Sequence, residues 1–162
     1  MVLVASAMAQ SIADAMGKPE VSADLIAFCQ GIVDEITQNG VATFGGSASG
    51  HTISGITGAS LASKIESNVP FPSITAELIG YCTGICNHII ASSIVTYSGP
   101  PAPPGNDWFE GGTISGTNGA GMATMIKNEV GFPSVTQDLI NHCTGIANNI
   151  NSDAEVESGV IS

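Results

Sequence analysis

Phe71-Pro72-Ser73-Ile74-Thr75-Ala76-Glu77-Leu78-Ile79-Gly80-Tyr81-Cys82-Thr83-Gly84-Ile85 returns 61 residues later as Phe132-Pro133-Ser134-Val135-Thr136-Gln137-Asp138-Leu139-Ile140-Asn141-His142-Cys143-Thr144-Gly145-Ile146. Working outward, residues 50–97 align with 111–158 without a gap, and 23 of the 48 positions are identical. A fainter copy precedes them, with residues 5–44 aligning on 58–97 at 11 identities in 40 positions. All three copies carry a proline (Pro19, Pro72, Pro133), a leucine (Leu25, Leu78, Leu139), a cysteine (Cys29, Cys82, Cys143) and a Gly-Ile pair beginning at Gly31, Gly84 and Gly145. Self-similarity of this kind marks a repeat architecture. The expected organisation is a degenerate repeat over 1–44, a second over 45–97, a Pro-rich arm over 98–110 and a third repeat over 111–162.

Each copy contains the signals of a helix hairpin. Its first helix carries Met8, Ile12 and Met16, matched by Leu61, Ile65, Val69 and by Met122, Ile126, Val130. A spacing of four lays these residues along one helix face. A proline-bearing turn ends that helix. The second opens on Ser22, Thr75 or Thr136 as N-cap, with Asp24, Glu77 or Asp138 favourably placed at the positive helix end. An apolar residue before each cap can staple onto the fourth helical position, Val21 with Ile26, Ile74 with Ile79 and Val135 with Ile140. The buried stripe then runs Leu25, Cys29, Ile32, Ile36 and its two counterparts. A mid-helix glycine costs about 1 kcal/mol relative to alanine. Its recurrence at 31, 84 and 145 predicts a close helix contact, near the recurring Ala9, Ala62 and Ala123.

Short β-like stretches flank the helices, Val41-Ala42-Thr43-Phe44 and Ile94-Val95-Thr96-Tyr97 on one side, Thr52-Ile53-Ser54-Gly55 and Thr113-Ile114-Ser115-Gly116 on the other. They are expected to pair as small hairpins joining the units. The fold class expected is therefore mainly α with short β-hairpins, as three tandem helix-hairpin repeats. The connector 45–51 is a short flexible turn, whereas 98–110 holds Pro100, Pro101, Pro103 and Pro104 before Trp108 and Phe109. A stiff proline arm ending in the only tryptophan is a docking element for a partner, or else Trp108 covers a gap in the chain's own core.

Composition narrows the function classes. Only 10% of the 162 residues are charged, the sole basic side chains apart from histidine are Lys18, Lys64 and Lys127, and the formal net charge is −11. Binding to nucleic acid, to phosphorylated ligands or to an anionic membrane surface needs lysines and arginines that this chain lacks. No apolar run reaches the ~18 residues of a membrane span. Ala7-Met8-Ala9 imitates a signal-peptidase site, but no basic segment precedes it and the same residues fit the repeat.

Catalytic and metal patterns are likewise not evident. Cys29, Cys82 and Cys143 share one apolar-stripe position, as small buried hydrophobes would, and Cys82 and Cys86 lack the spacing of a zinc knuckle. His142 stands where Phe28 and Tyr81 stand, His88 where Glu35 and Asn149 stand, and His51 where Gly112 stands, so none recurs and each reads as a tolerated substitution. A dyad of His142 with Cys143 would need two helix neighbours that diverge by about 100° to face one way. Nucleophile elbow, phosphate loop, zincin and EF-hand patterns are all missing. The expectation is a protein without catalytic, cofactor or metal residues.

Through its Gly-x-Thr-Ile-Ser-Gly segments and the two matched hairpin sequences, the chain resembles in style the low-lysine, Gly/Ser/Thr-rich accessory proteins of tailed-phage particles. That resemblance implies a virion structural role, as capsid decoration or a neck or tail subunit, exercised through contacts with other subunits or with copies of itself. No fibre-like repeat or tail-tube pattern accompanies it. The competing expectations are a bacterial surface or secreted repeat module and a small-ligand carrier.

Overall fold

A computed structural model describes residues 2–43, 52–70, 73–98 and 111–162. Those residues form six helices and six short strands in the order α1 (Ala5–Ala15), α2 (Ala23–Asn39), β1 (Val41–Thr43), β2 (Thr52–Ser54), α3 (Gly58–Asn68), α4 (Ala76–Ser92), β3 (Ile94–Tyr97), β4 (Gly112–Ser115), α5 (Gly119–Val130), α6 (Gln137–Asp153), β5 (Glu155–Glu157) and β6 (Val160–Ile161). The protein is mainly helical, with the strands joined in one curled antiparallel sheet.

The caps expected from the sequence set the start of the long helices. Ser22, Thr75 and Thr136 side chains accept from the backbone N–H of Leu25, Leu78 and Leu139. Each thereby satisfies one of the donors that a helix start leaves without an intrahelical partner. Most of the predicted stripes face inward: Met8, Ile12, Leu61, Ile65, Met122 and Ile126 from the shorter helices are buried, as are Cys29, Ile32, Ile36 and their counterparts from the longer ones, whereas Met16, Val69, Val130, Leu25, Leu78 and Leu139 at the ends of the stripes are half-buried. Met8 and Ala9, within the apparent signal-peptidase triplet, are core residues.

Each helix packs against its neighbour in sequence, and α6 packs against α1, so the six close into a ring. Three close joints lie at the recurring glycines. A Cβ on Gly31 would meet Ile65 of α3, 3.1 Å from its Cα; one on Gly84 would lie 2.5 Å from Ile126 Cα of α5; one on Gly145 would collide with Ile12 of α1. The close contact expected at these positions is present, one helical turn beyond Ala62, Ala123 and Ala9. It joins α2 to α3, α4 to α5 and α6 to α1.

At one end of the ring the chain passes from long helix to strand. Val41 faces Ser54 and Thr43 faces Thr52 in the first hairpin, and Ile94 faces Ser115 in the second, as the sequence indicates. A third hairpin follows α6, its strands β5 and β6 joined by a turn at Ser158 and Gly159, both with positive φ. It pairs with β4 on one side and β1 on the other, giving the order β2-β1-β6-β5-β4-β3. Val95, Ile114, Ile53, Val156 and Ile161 point into the core from this sheet. The connector 45–51, Phe44 and the arm residues Pro100, Pro101, Pro103, Pro104, Trp108 and Phe109 lie outside the described residues.

Candidate functional site

The end of the ring opposite the sheet is where α2, α4 and α6 begin, and there the residues one turn after each capped start converge. Phe28, Tyr81 and His142 form a triangle with ring centroids 6.1, 5.6 and 6.1 Å apart, each pair inclined by more than 50°. Such tilted and edge-to-face contacts suit the quadrupoles of aromatic rings. His142, expected from the sequence to be a tolerated substitution, is one in shape, since the imidazole fills the third place in the triangle. Its Nε2 is nevertheless buried without a hydrogen-bond partner. Burial, reinforced by the positive charge of Lys18, pulls its pKa down to about 4.

Around this triangle the surface is apolar. A cavity of about 430 Å³ is lined by Phe28, Leu78, Tyr81, Val130 and Phe132, with Ser73, Thr75 and Glu77 supplying its polar edge. Among the lining residues Phe132 stands 40% exposed. Large exposed hydrophobics concentrated in one place mark interaction surfaces.

One residue beyond the aromatic triangle, Cys29, Cys82 and Cys143 are fully buried, and Cys86 joins them in the core. Burial pushes all four thiols up to about 12. Nucleophilicity and metal binding belong to the thiolate, which such groups hardly populate at neutral pH. A thiol reagent is expected to label none of them rapidly in the native chain and four after denaturation without reductant. A count of two or fewer would show that the cysteines are paired. Among the described residues, no group of three or more His, Cys, Asp or Glu side chains is placed to hold a metal ion.

The second set of polar residues sits at the joints of the ring, and the sequence reading missed it. Glu35, His88 and Asn149 occupy one position in the three long helices and are 1%, 2% and 3% exposed. Glu35 Oε1 accepts from the backbone N–H of Thr57, the residue capping α3, at 2.9 Å. His88 Nε2 accepts from the N–H of Asn118, the residue capping α5, at 3.1 Å. Both therefore stabilise the positive end of the next helix.

Each also bonds the side chain four residues on. Asn39 Nδ2 donates to Glu35 Oε2 at 2.8 Å, Ser92 Oγ lies 3.3 Å from His88 Nδ1, and Asn149 Nδ2 donates to Asp153 Oδ2 at 2.7 Å. The available signal was that three different polar residues occupy one position directly before a buried isoleucine.

The Glu35 joint is charged. Lys64 Nζ donates to Glu35 Oε2 at 2.8 Å, and Ser60 Oγ donates to the same oxygen at 2.6 Å. Burial alone would raise the carboxyl's pKa, but hydrogen bonds from Lys64, Ser60 and Thr57 and the lysine charge outweigh it, and the net shift is downward. At the second joint Gly121 replaces Ser60, and a Cβ there would lie 2.6 Å from His88 Cε1. The histidine fits because that side chain is missing.

These features define a mainly helical ring closed by a curled sheet, with an apolar basin at one end and polar joints between its helices. No protein-family description matches the chain, and comparison with curated proteins and with solved structures finds no significant likeness. No helix among the described residues is long and apolar enough to cross a membrane.

Proposed function

We propose that the chain is built from three helix-hairpin repeats closed on themselves, and that it works as a structural or assembly subunit through protein–protein contacts rather than by catalysis. The repeat reading is supported by three equivalent glycine joints, three equivalent N-caps and three equivalent corners of the aromatic triangle. The observation that carries the contact function is the apolar basin, where Phe132 stands exposed beside the aromatic floor of Phe28 and Tyr81. The style of the sequence favours a virion as the assembly, as capsid decoration or a neck or tail subunit. The Pro-rich arm with Trp108 and Phe109 is the second contact element of this reading, resting on the sequence alone.

Phe132→Glu tests the basin. A charge at a partly exposed position away from the core is expected to change folding stability by less than about 0.5 kcal/mol. At the centre of an interface, loss of an aromatic anchor removes about 2 kcal/mol or more of binding. The variant should keep its thermal midpoint yet fail to self-associate or to enter purified particles at the wild-type stoichiometry. Equal incorporation of the two proteins would end this reading.

A second reading has one observation in its favour. The basin's volume of about 430 Å³ and its lining fall within the range of small-molecule sites. Native mass spectrometry showing a bound apolar molecule, displaced by Phe132→Glu, would replace the subunit by a carrier.

A further inference from the structure

The three polar joints are not equally furnished. Between α2 and α3, a buried carboxylate on the long helix meets a lysine from the short one: Glu35 receives Lys64 Nζ, and Ser60 Oγ bonds to both groups. Between α6 and α1, the long helix again provides a buried carboxylate, Asp153, which is 8% exposed. In the aligned sequence the short helix offers Ser11 where α3 has Lys64, and Ala7 where α3 has Ser60. Neither side chain carries a charge. Among the described residues Asp153 accepts only from its own helix, from Asn149 Nδ2 to Oδ2 at 2.7 Å and from Ser152 Oγ to Oδ1 at 2.8 Å. No cation pairs with it among the described residues.

A cavity opens at that place. It has a volume of about 840 Å³, lies between α1 and α6, and is lined by Ala7, Ser11, Asp14, Asn149 and Asp153 among others. Asn149 is 3% exposed, and its Oδ1 has no hydrogen-bond partner. A buried amide oxygen left unpaired costs free energy, and so does a buried carboxylate without a counter-charge. One donor-rich cation relieves both. Asp14 adds a second negative charge in the lining, and a molecule of net charge −11 favours the approach of a cation from solution.

We propose that the groove between α1 and α6 binds the primary ammonium group of a small aliphatic amine. The group is held by the Asp153 carboxylate and Asn149 Oδ1, in the role that Lys64 Nζ plays between α2 and α3. An ammonium has three donors and no acceptor, which matches a lining that presents a carboxylate and an amide oxygen. The cavity admits the alkyl chain that a lysine would otherwise supply from within the protein.

Titration of the full chain with 1,4-diaminobutane and with n-butylamine, at constant ionic strength, tests the proposal by calorimetry and by the side-chain amide resonances of Asn149. The expected result is saturable binding of one equivalent, with the Asn149 resonances shifting along the same isotherm. Asp153→Asn should weaken it at least tenfold. Ser11→Lys should abolish it while raising the melting temperature, because the new side chain supplies the ammonium from α1. Lack of saturation with both amines would overturn the proposal. Undiminished affinity in a folded Asp153→Asn or Ser11→Lys protein would do the same, and either variant suffices if the other fails to fold.

Discussion

Gly84→Ala is expected to lower the free energy of unfolding by about 3 kcal/mol, from the addition of one methyl group. The new Cβ would lie 2.5 Å from Ile126 Cα and 2.6 Å from its N, so it meets the backbone of α5 and cannot be accommodated by a side-chain rotation. Helix propensity alone points the other way, favouring alanine by about 1 kcal/mol. The sign of the measurement therefore separates packing from propensity. Gly131→Ala is the control: its φ is +84°, but nothing lies within 4 Å of a Cβ, so it should cost about 1 kcal/mol from the left-handed backbone alone. Urea denaturation of both variants checks the pair, and an unchanged or raised midpoint for Gly84→Ala would remove the close contact from the account.

Stability should also fall by about 3 kcal/mol as the pH drops from neutrality to about 4, largely through one residue. Burial first, and then the charge of Lys18, bring the folded pKa of His142 from 6.5 to about 4. In the unfolded chain that group takes up its proton near pH 6.5. Between those values the unfolded state binds more protons, so the contribution is fully present above about pH 6.5 and lost as the pH approaches 4. Burial shifts His88 in the same direction, and its protonation would also cancel the acceptor for the Asn118 N–H. Glu35 acts lower on the scale. Its folded pKa is depressed, so its share persists above the ordinary carboxyl value and disappears as the pH falls below it. His142→Phe, which reproduces the residue at position 28, should flatten the slope between pH 6.5 and 4.5. An equally steep slope in that variant would acquit His142.

Much of this architecture is legible in the sequence because its causes are local. Ser22, Thr75 and Thr136 announce helix starts through side chains that bond three residues on, and the stripes at Ile12, Ile65 and Ile126 report one apolar face each. The third β-hairpin was harder to see. Glu155-Val156-Glu157 presents one apolar residue between two acids, and its strand character depends on pairing with β4 and β6. Closure of the ring was not legible either. Gly145 looks the same in sequence whether it meets Ile12 or ends an open array, since its partner lies far away along the chain. The polar joints were hidden for a related reason: Glu35, His88 and Asn149 share a place and a task but no chemistry, so a search for identical residues passes over them.

The Gly145 joint has a kinetic consequence. Contacts such as Gly31 with Ile65 and Gly84 with Ile126 close loops of a few dozen residues, whereas Gly145 with Ile12 spans most of the polypeptide. Loop-closure entropy grows with the logarithm of the loop, and non-local contacts slow folding. The α6–α1 seam is thus the last to zip and, at high protein concentration, the one open to exchange. Until it closes, the free faces of α1 and α6 are complementary to each other on any two molecules, and the alternative to an intramolecular seal is a swapped pair with two reciprocal seams.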